Sequence, residues 1–182
     1  IGMEFASFYN DLGVDVTIVE SLPSILPNED TDISQIVKLN FEKRGIKIRT
    51  NSTLKSVTTK ENSVSAEIIT NETVETINSE KLILAIGIIA NTEKLGLKDF
   101  NVKIDKGHIV TNEFLETDEK GVYAIGDITD GPWLAHKASH EGILCVEKIA
   151  GHKNLKPIDK TSIPGCTYCR PQVASIGMTE TQ

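Results

Sequence analysis

The residues best suited to chemistry are an acid behind a glycine, an acid at the end of a short strand-like run, and a pair of cysteines. Gly126-Asp127 follows the uncharged run Val122-Tyr123-Ala124-Ile125. Such a run predicts a strand buried on both faces, with Gly126 ending it. At the carboxyl end of a strand a glycine lets backbone approach a ligand, and the following carboxylate can accept hydrogen bonds from hydroxyls. Past the Asp130-Gly131-Pro132 turn, Leu134, Ala135, Ala138, Gly142, Cys145, Val146 and Ile149 recur mostly at steps of three and four and stop at Gly151. That pattern predicts a helix with this apolar face, its amino terminus aimed back at Asp127. A helix start carries roughly half a positive charge and unpaired N–H groups, which favour an anionic ligand by about 0.3 to 1 kcal/mol.

Glu20 ends the run VDVTIVE from Val14, and Gly2 lies eighteen positions before it. Between them Phe5, Phe8 and Leu12 form a helical stripe closed by Gly13. Helix, strand and terminal acid in this order are the back half of a dinucleotide-binding βαβ unit. If the residues before Gly2 read G-x-G-x-x, Gly2 would be the last glycine of the fingerprint, whose missing side chain lets helix and sheet pack closely. A carboxylate at Glu20 can accept both hydroxyls of an adenosine ribose. A 2′-phosphate about 4 Å away would meet like charge at a cost of up to about 4 kcal/mol per charge pair, at an effective dielectric near 20.

Cys166-Thr167-Tyr168-Cys169 has the spacing of a redox or zinc motif. Thr and Tyr favour a strand, in which residues three apart face opposite ways with Cα atoms about 10 Å apart, beyond the roughly 7 Å limit of a disulfide. Zinc would need ligands that no second such motif supplies. Cys145, on the apolar helix face, reads as core packing.

These residues need elements to position them. The prolines of Ser21–Ser34 lead into a helix that Asp30, Thr31 or Asp32 can cap, with Ile33, Ile36, Val37 and Phe41 inside and Gly45 at its end. Ile46–Thr50 forms the next strand. Segments around 53–59, 64–70 and 74–78, linked by Lys60-Glu61-Asn62 and Asn71-Glu72, read as an antiparallel meander. Lys81–Ile86 is expected as a buried strand ended by Gly87, and Lys103–Leu115 is expected to supply strands or a hairpin around Lys106-Gly107. His108 and His152 are read as solvent-facing. The net charge of −7 gives no basic field for nucleic acid or an acidic membrane, and no apolar run approaches a membrane span. An odd count of three cysteines favours a reducing cytoplasm. The opening inside a helical pattern and the close at a new element suggest an internal part of a longer protein.

Thr117–Asp127, TDEKGVYAIGD, followed by Leu134–Gly142, LAHKASHEG, resembles the second flavin-binding signature of the pyridine nucleotide-disulfide oxidoreductases. IGMEFA at the start and AIGIIANTEKLGL from Ala85 resemble the same family, although Ile88 and Ala90 stand where arginine and proline are usual. The resemblance implies an α/β fold of Rossmann-like FAD- and NAD-binding domains of the disulfide reductase type, with the start of an α+β dimerisation domain. The expected boundaries are 1–90 for NAD, 91–161 for the returning part of the FAD domain, and 162–182 for dimerisation. It implies FAD and NAD as cofactors and dihydrolipoamide on a lipoyl domain as the substrate, oxidised to lipoamide with NAD as acceptor. It further implies a 2-oxo acid dehydrogenase complex and a homodimer as the setting. Mercuric reductase and transhydrogenase chemistry are the alternatives within the family, and a non-catalytic NAD-binding module is another.

Residue by residue, Asp127 would hold the ribityl chain, with Gly126 beside it. Backbone around Leu134, Ala135 and His136 would face the pyrimidine edge of the flavin. Glu4 and Gly87 would lie by the nicotinamide, and Gly2 and Glu20 on the dinucleotide. The family's redox dithiol and catalytic histidine have no counterpart here, so no catalytic residue is assigned, and no metal. Glu20 yields a direct expectation: the complete protein prefers NADH to NADPH, and Glu20→Ala narrows that preference in coenzyme titrations. Equal affinities in the unaltered protein would sink the assignment.

Overall fold

The computed structural model describes residues 1–182, which divide into two compact units, Ile1–Ile86 with Cys166–Gln182, and Gly87–Gly165. In the first unit the order is α1 (Gly2–Asp11), β1 (Thr17–Val19), α2 (Thr31–Lys43) and β2 (Lys47–Arg49), then β3 (Ser52–Lys60), β4 (Ser63–Thr70) and β5 (Thr73–Ser79). β1 and β2 pair in parallel with Ile18 opposite Ile48, and α2 is the crossover between them. The Asp30 carboxylate accepts from the Asp32 N–H at 3.1 Å, so the expected cap forms. β3, β4 and β5 make the expected antiparallel meander, with a bulge between Leu54 and Ser56. Asn71 and Glu72 take φ of 48° and 65° in its second turn. Met3, Ala6, Ile25, Val37, Phe41, Ile46, Cys169 and Val173 form the core of this unit.

The second unit holds the expected hairpin, β6 (Ile104–Asp105) with β7 (His108–Ile109), and one long helix, α3 (Ala135–Ile149). Leu115, Leu144 and Cys145 are its buried cluster, flanked by Phe114, Tyr123, Leu155 and Ile158. β8 (Gly165–Thr167) and β9 (Val173–Ser175) form a small sheet. No helix is long and apolar enough to cross a membrane.

Several expectations need correction. Lys81–Ile86 is not a strand and is not buried: Leu84 is 62% and Ile86 90% exposed. Val122–Ile125 is extended but joins no ladder. It has one isolated antiparallel bridge, Glu116 with Tyr123, made by the Ala124 N–H to the Leu115 carbonyl and the Thr117 N–H to the Val122 carbonyl. Both runs have strand composition, but a ladder also needs an extended partner along the hydrogen-bonding edge, and within residues 1–182 the first run gains only this bridge and the second none.

The helix faces also differ. On α1 the buried residues are Met3, Ala6 and Ser7, whereas Phe5, Phe8 and Leu12 are exposed. The reason is polar as well as apolar. Ser7 faces inward because its Oγ accepts from the Arg170 N–H at 3.0 Å and from Arg44 Nη1 at 3.1 Å. On α2, Val37 and Phe41 are inside but Ile33 and Ile36 are exposed. On α3, Val146 and Ile149 are exposed, and the buried residues are Lys137, Glu141, Leu144 and Cys145.

These faces set an expectation for stability. Phe41→Ala removes a fully buried ring and should cost about 3 to 5 kcal/mol, whereas Phe8→Ala should stay within about 0.5 kcal/mol. Urea unfolding midpoints compare them, and similar losses for the two would show that α1 buries the other face.

Candidate functional site

The Gly126 turn is the most tightly determined piece of the second unit. Gly126–Ile128 forms a single 3-10 turn, and Gly126 has φ +77°, in the left-handed region where an L side chain is disfavoured. A Cβ on Gly126 would lie 3.3 Å from the Ala138 Cβ, so glycine is favoured by its conformation and fits the approach of α3 without a shift. Asp127 follows at once and is exposed.

With no strand ladder to bind it, the Gly126 backbone is held by side chains of α3. Its N–H donates to Glu141 Oε2 at 2.6 Å. Its carbonyl accepts from Lys137 Nζ at 2.9 Å and from the Thr129 hydroxyl at 2.8 Å. Lys137 Nζ also donates to Thr129 Oγ1 at 2.9 Å and pairs with Glu141 Oε1 at 3.2 Å. The two charged side chains are only 1% and 6% exposed, so water plays little part in the pairing.

α3 begins beside this turn. Its N-cap, Leu134, has extended backbone and offers no side-chain acceptor, so no side chain caps the N–H groups of the first turn. His136 Nε2–H donates to the Pro164 carbonyl at 2.8 Å, which fixes the imidazole sideways. Gly126, Asp127, Leu134, Ala135 and His136 therefore belong to one neighbourhood, tied together by Lys137. Gly87 stands apart, with φ +133° and open space around its missing side chain. At the edge of the loop, Lys160 lies 2.9 Å from Asp130 and holds that carboxyl below the usual range. The pair is largely exposed and contributes little to stability.

The dinucleotide candidates lie in the first unit. A Cβ on Gly2 would sit 3.3 Å from the Ala85 Cβ, in line with a glycine chosen for close packing. Glu20 continues the β1–β2 ladder, its N–H donating to the Arg49 carbonyl at 2.8 Å, and its Oε1 accepts from the Leu22 N–H at 2.9 Å. The carboxylate is thus oriented by the loop that follows the strand. Glu4 Oε1 accepts from the Tyr168 N–H at 2.9 Å, a bond that ties α1 to the segment after β8.

The three cysteines are free thiols. Cys166 lies in β8, but Cys169 falls in the bend beyond it, so only half of the expected strand placement holds. Cys169 is buried, and that burial, aided by the Glu4 charge, pushes its thiol up. No group of three or more His, Cys, Asp or Glu side chains gathers as a metal site would. His108 is not solvent-facing as expected. It is half-buried and accepts from Trp133 Nε1 at 3.2 Å, the two rings meeting edge to face.

Lys137, Glu141 and Thr129 were not legible as site residues. Their one sequence signal is the i, i+4 spacing of Lys137 and Glu141, which on a helix more often marks a solvated surface pair.

Residues 1–142 match the family model described as pyridine nucleotide-disulphide oxidoreductase. The chain is 49% identical over 181 residues to a dihydrolipoyl dehydrogenase of Rhizobium etli, covering 99% of this chain and 38% of that protein. It is 48% identical over 181 residues to a dihydrolipoyl dehydrogenase of Zymomonas mobilis, with 99% of this chain and 39% of that protein covered. The chain therefore spans well under half the length of these relatives. Among solved structures, LpdA from Mycobacterium tuberculosis aligns with a TM-score of 0.87 at 28% identity, over 98% of this chain and 38% of that one. RclA from Escherichia coli aligns with a TM-score of 0.87 at 24% identity, over 99% of this chain and 41% of that one, a likeness of fold.

The turn geometry makes a prediction. Gly126 and Gly151 have similar φ, +77° and +75°, but only Gly126 has a neighbour within contact of an added Cβ. Alanine at either position should cost about 1 to 2 kcal/mol for the left-handed backbone. Gly126→Ala should cost more, because α3 must also shift. Equal losses in denaturant titration would refute the close approach of α3.

Proposed function

The chain belongs to the pyridine nucleotide-disulphide oxidoreductase family, and from that premise we propose that the whole protein oxidises dihydrolipoamide to lipoamide with NAD as acceptor. The observation that carries the reading is the Gly126–Thr129 turn, which presents an exposed carboxylate, Asp127, next to a helix start without a side-chain cap. The name dihydrolipoyl dehydrogenase, borne by the relatives above, supports the choice of substrate.

The residues suit FAD. Asp127 can accept from the hydroxyls of a ribityl chain, Gly126 leaves room for backbone approach, and the N–H groups from Leu134 through His136 favour negative charge. When bound, FAD supplies the two-electron relay between the thiol substrate and NAD. In the first unit, Gly2 allows the helix of the dinucleotide fold to pack closely, Glu20 is set to accept from the adenosine ribose, and Glu4 and Gly87 are assigned to the nicotinamide side. Residues 1–90 are then the NAD-binding part, 91–161 the FAD-binding part and 162–182 the beginning of the dimerisation domain. The partners are a lipoyl domain of a 2-oxo acid dehydrogenase complex and a second copy of the protein. Free, unbridged cysteines agree with a cytoplasmic setting.

The test uses the full-length protein. It should purify yellow with one FAD per chain and reduce NAD when given dihydrolipoamide. Asp127→Ala should weaken FAD retention by about tenfold, the loss of roughly one hydrogen-bonded charged group. A full-length protein that binds no flavin, or that turns over another disulfide and not lipoamide, would overturn the proposal.

A further inference from the structure

We propose that Lys137, Glu141 and Thr129 are positioning residues for the flavin, acting through the Gly126 peptide on Asp127 and on the start of α3. The inference rests on the flavin reading of Asp127 given above.

The motive is where the bonds of the buried pair go. Lys137 has three N–H donors, and the structure directs them to the Gly126 carbonyl, Thr129 Oγ1 and Glu141 Oε1. Glu141 turns its other oxygen to the Gly126 N–H. Both polar groups of Gly126 thereby bond to α3, the carbonyl also accepting from the Thr129 N–H and hydroxyl. A buried ion pair is seldom more stabilising than apolar side chains of similar volume, because both charges must leave water. What such a pair does supply is direction, since each bond accepts only a narrow range of angles and distances.

Two consequences follow from that direction. Gly126 at φ +77° could otherwise move among many conformations, as glycine does. Pinning its N–H and carbonyl fixes the plane from which Asp127 departs. Lys137 also lies in the first turn of α3, next to Ala135 and His136, so the bonds that hold the turn hold it to the helix start. The carboxylate that accepts from hydroxyls and the N–H groups that favour negative charge are kept in one register. A bound ligand needs both held to about 0.5 Å.

A double-mutant cycle in the full-length protein separates positioning from general support. FAD is removed, and its dissociation constant is measured by reconstitution of the apoprotein for the unaltered protein, Asp127→Ala, Lys137→Met and the double variant. Lys137→Met should weaken FAD by about tenfold in the unaltered background and by less than about twofold when Asp127 is already alanine, a coupling within the usual range for residues of one network. Equal weakening in both backgrounds would overturn the inference, because a merely structural role does not depend on Asp127. Should Lys137→Met fail to fold, the same cycle run with Thr129→Val and Glu141→Gln decides by the same criterion. If Asp127→Ala alone leaves FAD affinity unchanged, the flavin reading itself fails. If Asp127→Ala weakens FAD but the cycle is additive, only the positioning role fails.

Discussion

The geometry of the candidate flavin site depends on one peptide group. Gly126 donates and accepts through side chains of the following helix, at a point where no strand lies alongside to take its backbone bonds. An unsatisfied buried N–H or carbonyl costs of the order of 1 to 3 kcal/mol, so these bonds are obligatory in some form. Supplying them from Lys137 and Glu141 ties the turn to α3 rather than to a sheet. Ala138 lies close as well, so a Cβ on Gly126 would come within 3.3 Å of its Cβ and a neighbour would have to give way slightly.

Arg44 plays a comparable part in the first unit. Its guanidinium donates to the Ser7 carbonyl at 3.1 Å and to Asp11 Oδ1 at 2.9 Å on α1, and to the Arg170 carbonyl at 2.6 Å. One planar group at the end of α2 thus gathers α1 and the segment beyond β8, a use for which a fork of donors is better suited than a lysine. Its Nε has no partner although it is buried, so some desolvation cost offsets the gain. In both units a charged side chain bonds a helix to a neighbouring backbone segment.

The residues proposed for the dinucleotide have a simpler basis. Glu20 sits at the end of β1 because the parallel ladder extends to its N–H, and the next loop fixes its carboxylate through Leu22. Gly2 is constrained by the Ala85 side chain alone. Their placement needs only a strand end and a missing Cβ, both of which depend on a few neighbouring residues.

The amino-acid sequence by itself determined what local chemistry controls. Asp30 caps α2, Lys60-Glu61-Asn62 and Asn71-Glu72 turn the meander, and Lys106-Gly107 turns the hairpin, because caps and turns depend on a few neighbouring residues. It also placed Gly126-Asp127 before a helix, from composition and period. Composition did not show which partner Val122–Ile125 and Lys81–Ile86 find, since pairing needs an edge contributed by other segments; within residues 1–182 the first run has one bridge and the second none. The tertiary structure alone decided that α3 buries Lys137 and Glu141 in place of Val146 and Ile149. Apolar periodicity locates a stripe on a helix, but which residues are buried depends on what packs against it in space, and here the Gly126 peptide offers an acceptor to Lys137 and a donor to Glu141.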